Sequence, residues 1–267
     1  NGWYFENSNN ITIQDSLIHD QAEVSCAQRW YGIYIRNGTN FLIRRNNIYS
    51  NPGGGIQAYP GPITSLVIRR NKLHDNPICA NSPIGGLVVY RGSVGGAISG
   101  VDIYYNEIYN NGSTAGTDGE GIRLSGDANA GPTGTRILNN TIYNNESSGA
   151  SQGWGVNIQT SGTTSTLVQN NLVIANERGQ VRNVGTGSTI QYNACATADS
   201  CGTTGKLTIT AVTDITQSTT DFTQKTASTG IDAGSPVVGF SYNGSAPDIG
   251  AYETFVVAAC SVEAATP

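Results

Sequence analysis

Along most of this chain the apolar residues follow one short pattern, apolar-x-x-Asn-x-apolar-x-x-Asn. A Gly-led stretch in which apolar and polar residues alternate comes after it. Seven segments superpose on the pattern: 13–18, 43–48, 68–73, 103–108, 137–142, 168–173 and 190–195. Their fourth positions are Ser16, Asn46, Asn71, Asn106, Asn140, Asn171 and Asn193, spaced by 22 to 35 residues. A period near 30 with variable insertions predicts one coil per repeat and loops of unequal length. A second Asn follows five positions later at Asn51, Asn76, Asn111, Asn145 and Asn176, with Gln21 in the first coil. The Gly-led stretches 32–36, 55–59, 86–90, 121–125, 155–159 and 179–182 alternate with period two, and 2–6 fits the same slot. That period marks half-buried strands.

Each coil is therefore expected to hold three short strands, two of them flanking the first Asn. A lone coil cannot bury its apolar face. Stacking coils at about 4.8 Å pairs every backbone group with the coil above and below. An Asn repeated at strand spacing can donate its amide to the next Asn and accept from the previous one. This satisfies a polar group that is costly to bury unpaired. Asn also tolerates left-handed turns. A further column, His19, Tyr49, His74, Tyr109, Tyr143 and Ile174, is expected to point outward and stack ring on ring. Stacking accounts for both His residues of the chain without a catalytic role.

Composition narrows the classes. The chain has 267 residues, 12% charged, with 34 Gly and a net charge of −5. An acidic balance argues against nucleic acid as a partner. No run of about 18 apolar residues is present to span a membrane. There is no Met, and the chain opens on Asn1-Gly2-Trp3 without a polar cap. Because repeat folds need capping ends, a signal segment and earlier coils are expected ahead of Asn1. The five Cys lack a C-x-x-C pair and the chain has two His, which argues against zinc. Cys195 and Cys201 could close a local disulfide and Cys26 could pair with Cys79, leaving Cys260. This usage points to an oxidising, extracellular setting.

The repeat resembles the right-handed parallel β-helix superfamily of secreted, pectate-lyase-like proteins, which includes alginate and chondroitin lyases, polygalacturonases and phage tailspikes. The resemblance covers residues 2–195. It implies an all-β, right-handed parallel β-helix of about seven coils over 1–200, with 201–267 closing the same domain. The stretch from Ile231-Asp232-Ala233-Gly234 to Pro247-Asp248-Ile249-Gly250 resembles the closing segment of such proteins and is expected to pack over the last coil. A structural turn is the favoured reading of Asp232 and Asp248, ahead of a calcium site. The calcium-and-arginine signature of the main pectate lyase family, the paired Asp of polygalacturonases and the Asp-Pro-His-Asp motif of epimerases are all missing, so no catalytic residue carries over.

In enzymes of this fold the resemblance implies that substrate lies along the outward face of one sheet. Here the Gly-led strands offer Tyr34, Arg36, Tyr59, Tyr90, Arg123, Asn157 and Gln159 as an open row, with Gln180 and Arg182 at its end. Aromatic faces stack on sugars, and Arg pairs with carboxylates in bidentate geometry. The loops 77–86 and 112–121 flank the row. The second ends in Asp118 and Glu120, beside Arg123, and Trp154 is expected in the next loop. Arg91 lies close by. Two mechanisms fit. In β-elimination, Arg123 neutralises the uronate or acts as base, and Tyr90 or Tyr59 protonates the leaving oxygen. In hydrolysis, Asp118 and Glu120 form the carboxylate pair. The same two carboxylates could hold Ca²⁺; no other cofactor is implied. The expected function is a polysaccharide lyase, or a glycoside hydrolase, acting on an anionic polysaccharide. The alternative is a non-catalytic glycan-binding surface, fibre or tailspike-like protein. Oligomeric state is left open.

Overall fold

The computed structural model describes residues 2–21, 30–76, 85–113, 119–147, 153–196 and 200–254. Within them the chain winds as stacked coils whose strands build three parallel sheets. The first sheet has seven strands: Trp3–Phe5, Tyr31–Ile35, Gly54–Ala58, Leu87–Arg91, Ile122–Gly126, Trp154–Ile158 and Gly179–Asn183. The second begins with Ser8–Gln14, Gly38–Arg44, Ile63–Arg69 and Ile98–Tyr104. The third begins with Leu17–His19, Asn47–Tyr49, Lys72–His74 and Glu107–Tyr109. The pairings between coils in these sheets are parallel, and all but one run residue-for-residue, as in Ile43↔Ile68 and Ile48↔Leu73; the exception is a register shift between Ala130 and Thr133. The inward residues of all three sheets fuse into one core, with Ile33, Ile43, Ile68, Ile103 and Ile137 wholly buried. The all-β parallel coil read from the repeat is thus the architecture of the chain.

The Asn columns form two ladders. In the first, the amide of Asn46 donates to Asn71, and the relay runs through Asn106, Asn140 and Asn171 to Asn193 at 2.9–3.0 Å. The second runs from Asn51 through Asn76, Asn111 and Asn145 to Asn176 at 2.8–3.0 Å. It ends on Gln180, whose carbonyl accepts from Asn176 at 2.9 Å. Gln180 is therefore buried as a terminal rung and does not belong to the outward row where its spacing placed it. Its register partner is the residue after Trp154, since Trp154 pairs with Gly179.

The left-handed residue at the first corner is not the ladder Asn. It is the residue before it: Asp15, Arg45, Arg70, Tyr105, Asn139, Asn170 and Tyr192, with φ of 49–59°. Non-Gly residues hold this conformation at about 1–2 kcal/mol each. The corner tolerates it because the ladder Asn then turns its side chain inward, to the ladder and to backbone carbonyls. The outer side chains of the same column are left free for other work. The Gly that opens each first-sheet strand has a simpler cause. At Gly121 a Cβ would stand 2.6 Å from Ile142 and 3.0 Å from the amide of Asn145.

In the aromatic column, His19, Tyr49, His74 and Tyr109 stack with ring centroids 4.7, 5.3 and 4.9 Å apart. His74 sits between Asp75 at 2.6 Å and Asn47 at 2.8 Å. The stack ends at Tyr109, where Phe222 of the C-terminal segment meets both Tyr109 and Tyr143.

That segment departs from the expected cap. Cys195 and Cys201 form a disulfide, and Leu207–Thr208 adds one more rung beside Ala194–Cys195. Beyond Val212 the described residues fold back along the flank instead of closing over the end of the stack. Ser235 accepts from Asn170, Asp248 accepts from Asn139, and Ala251 donates to Thr141. Phe240 reaches Tyr104, four coils into the stack. A second core forms under it from Leu172, Ile174, Ile209, Val212, Ile215, Phe222 and Ile249. Asp248 accepts from Asp232 and Thr254, and Asp232 accepts from Ser245 and Ala246. Both carboxylates thus tie turns. Cys26, Cys79 and Cys260 lie outside the described residues.

Candidate functional site

The first sheet holds its outward residues in register: Tyr4, Tyr34, Gln57, Val88, Arg123, Asn157 and Arg182 form one column. Two residues on, Tyr90 pairs with Ser125. Between them opens a cleft of about 440 Å³ lined by Tyr34, Tyr59, Tyr90, Arg123 and Asp127, with Tyr31 and Gln57. Tyrosine faces dominate it. Tyr4 stacks on Tyr34 at 5.4 Å, Tyr31 leans on Tyr34 at 5.5 Å, and Tyr59 meets Tyr90 edge-on at 5.4 Å.

The polar chemistry is concentrated at Tyr90. Its hydroxyl donates to Asp127 at 2.5 Å, and the second oxygen of Asp127 accepts from the Ser93 amide at 3.0 Å. Burial, reinforced by the Asp127 carboxylate, pushes the Tyr90 phenol up to about 12. The same bond, with the Ser93 amide, holds Asp127 below the usual carboxylate range. Tyr90 is thus a proton donor and Asp127 an ionised acceptor across the neutral range. Arg123 lies at the cleft floor, 7% exposed, its Nε held by Gln159 at 2.8 Å. Gln159 also accepts from Ser125 at 2.9 Å.

Four residues singled out by spacing, Tyr34, Tyr59, Tyr90 and Arg123, therefore converge on one cleft. Others do not. Glu120 is fully buried, its carboxylate accepting from Asn157 at 2.8 Å, and Asn157 is equally buried, so this pair is not part of an open row. Alternation marked Asn157 as outward but could not show that this stretch of sheet is covered. Asp118 lies outside the described residues. Arg36 stands at the N-terminal end of the sheet and pairs with Glu6 at 3.1 Å. Arg91 ends its strand at the cleft's edge, half-buried. Trp154 opens a strand rather than sitting in a loop, and its ring covers Gly179, where a Cβ would come within 2.6 Å of it. Gln159 positions Arg123 and is itself no free ligand group.

Spacing missed Asp127. It lies in the single-turn helix Asp127–Asn129 that follows the strand Ile122–Gly126. The signal was there: register puts Ser125 beside Tyr90, so the acid two residues further on lies within reach of the Tyr90 hydroxyl. Among the described residues no group of three or more His, Cys, Asp or Glu converges as a metal site. No described helix is long and apolar enough to cross a membrane.

A family described as a right handed beta helix region matches residues 1–197. No curated protein matches the chain. Among solved structures, a crystal structure of pectate lyase Pel9A aligns with a TM-score of 0.44 and 15% identity, over 84% of this chain and 67% of that one.

Proposed function

The chain belongs to the right-handed β-helix family, and on that premise we propose that it is an extracellular, carbohydrate-active protein whose first-sheet cleft cleaves an acidic polysaccharide by β-elimination. The observation that carries this reading is the Tyr90–Asp127 hydrogen bond beside Arg123 in a cleft walled by tyrosines. A sugar ring stacks on the tyrosine faces. Arg123 lies against the uronate carboxylate and stabilises the enolate that forms next to it. Asp127 takes the proton from the carbon beside that carboxylate. The bond to the leaving oxygen breaks, Tyr90 gives that oxygen its proton, and the proton on Asp127 restores the phenol. Hydrolysis is less well supported, because Asp127 is the one carboxylate lining the cleft among the described residues and it is held ionised. The Cys195–Cys201 disulfide supports an oxidising compartment.

The test is the absorbance of unsaturated sugar ends across a panel of acidic polysaccharides. Tyr90→Phe and Arg123→Ala are each expected to lower the rate by about 100-fold or more with the fold intact. A wild-type chain that releases no unsaturated ends from any of them defeats the elimination reading. A second reading, a non-catalytic glycan-binding surface or fibre protein, draws on one observation: the phenol is committed to Asp127 and the guanidinium to Gln159, so the cleft presents mainly aromatic faces. Glycan binding without turnover, unaffected by Arg123→Ala, supports that alternative.

A further inference from the structure

The chain is acidic, yet five of its fourteen Lys and Arg residues sit together on two adjacent coils: Arg44, Arg45, Arg69, Arg70 and Lys72. None of them lines the cleft; they lie where the second sheet turns into the third. Arg44 and Arg69 are register partners, and Arg45 and Arg70 occupy the left-handed corner position next to them, making a two-by-two block of guanidinium groups. Adjacent coils are about 4.8 Å apart, so the cations repeat at that interval along the stack.

Their partners compensate two of the five charges. Arg45 is bidentate to Asp15 at 2.7 and 2.6 Å, and Lys72 pairs with Glu107 at 3.2 Å. Arg44 donates to the neutral Gln14, and Arg69 to the hydroxyl of Tyr104. Arg70 lies over the ring of Tyr105, 5.8 Å from its centre. Among the described residues none of Arg44, Arg69 and Arg70 makes an ion pair. Their side chains are held by neighbours yet keep exposed charge, the state in which an Arg binds an anion at least ordering cost.

The returning C-terminal segment converts this patch into a groove. Tyr242 and Tyr252 form the facing wall, and a volume of about 590 Å³ opens between them and Arg45, Arg70, Lys72 and Tyr105, with the carboxylates of Glu107 and Glu253 also in its lining. Tyr105 donates to the carbonyl of Ser241 at 3.1 Å, and the Tyr252 hydroxyl donates to Glu107, which fixes the two walls against each other. Arg70, whose charge has no carboxylate partner among the described residues, and aromatic rings on both walls match a sugar chain bearing carboxylates: planar, bidentate acceptors for Arg and apolar ring faces for Tyr.

We infer that this groove is a second, non-catalytic binding site for a carboxylate-bearing oligosaccharide, with Arg70 as its central contact and Arg45, Lys72 and the tyrosine rings beside it. It shares its ligand class with the cleft but not its residues. A polymer held here and in the cleft would be retained between cleavage events, because the second engagement is intramolecular.

The full chain titrated calorimetrically with a galacturonate hexamer at low salt tests this. Two sites per chain are expected. Arg70→Ala, at an exposed position, should weaken one of them by about tenfold or more, leave the other, and leave release of unsaturated ends from short substrates unchanged. Arg123→Ala should do the converse. Added salt should weaken the groove site. Unchanged stoichiometry and affinity in Arg70→Ala overturn the inference, as does equal binding of a neutral galactose hexamer. A chain without turnover that still loses one site with Arg70→Ala refutes the cleft reading and keeps this one. A chain with turnover whose binding depends on Arg123 alone does the opposite.

Discussion

The coil stack and the segment that folds back along it are held by opposite means. In the stack the holding contacts repeat from coil to coil: apolar on apolar in the core, Asn on Asn in the ladders, ring on ring along His19, Tyr49, His74 and Tyr109. The returning segment repeats nothing. It relies on single insertions such as Phe222 between Tyr109 and Tyr143, and on turn carboxylates such as Asp248, 1% exposed and bonded by Asp232 and Thr254. A repeated contact distributes its loss over neighbours that are all committed. A unique contact can fail alone. The two regions should therefore respond differently to damage.

The largest effect is expected in the ladder. Asn106 donates to Ile68, Tyr104 and Asn140 and accepts from Asn71, with its side chain wholly buried. Asn106→Ala leaves several buried polar groups without partners at about 1–3 kcal/mol each, so a loss on the order of 4 kcal/mol is expected in denaturant unfolding. Because nearest-neighbour coupling carries the stack, that loss should register in all three sheets at once. A loss under about 1 kcal/mol would mean that the ladder accompanies the fold without holding it.

Phe222→Ala comes next. Removing a buried ring typically costs about 3–5 kcal/mol, and Phe222 is 2% exposed. Here the cost is expected at the low end and confined to the flank, because water can enter as the segment lifts. Amide hydrogen exchange should rise over 212–254 while the strands Ile56, Leu87 and Ile122 belong to stay protected. Equal loss of protection in the first sheet would erase the distinction between the two regions.

How far each region could be read beforehand follows the same division. The register of seven coils was visible because a rung is a pattern, and a pattern needs no knowledge of what surrounds it. The cleft was visible in part: alternation put Tyr34, Tyr90 and Arg123 on one face, but burial of Asn157 and Glu120 depends on what covers that face. The flank had a signal too. On the third sheet the outward residues run Asn47, Lys72, Glu107, Thr141 and then Leu172 and Ala194, while the next outward column passes from Tyr143 to Ile174. Apolar residues on both faces of a strand mean cover on both faces. What covers them could not be read, because Phe222 and Ile249 have no periodic partner to set their register.

The smallest effect tests how the flank is fastened. Glu253 lies half-buried where the segment meets the stack, accepting from the amides of Asp248 and Asn243, with the hydroxyl oxygen of Tyr105 3.4 Å away. Burial, and then the adjacent Asp248 carboxylate, push it up to about 7. An unfolded Glu titrates near 4.3, so between that value and about 7 the folded chain carries a proton that the unfolded chain has lost. Stability must then fall as pH rises through this window, since the native state binds more protons there. After discounting for solvent screening the change is on the order of 1 kcal/mol. Thermal unfolding should show a slightly higher midpoint at pH 5 than at pH 8, and Glu253→Gln should remove most of that difference while leaving the midpoint at pH 5 almost unchanged. Exchange rates separate the two regions once more: over 232–254 they should follow the titration, whereas the Asn ladders contain no group that titrates in this range. A pH dependence that persists undiminished in Glu253→Gln would place the proton elsewhere and leave the flank fastened by packing alone.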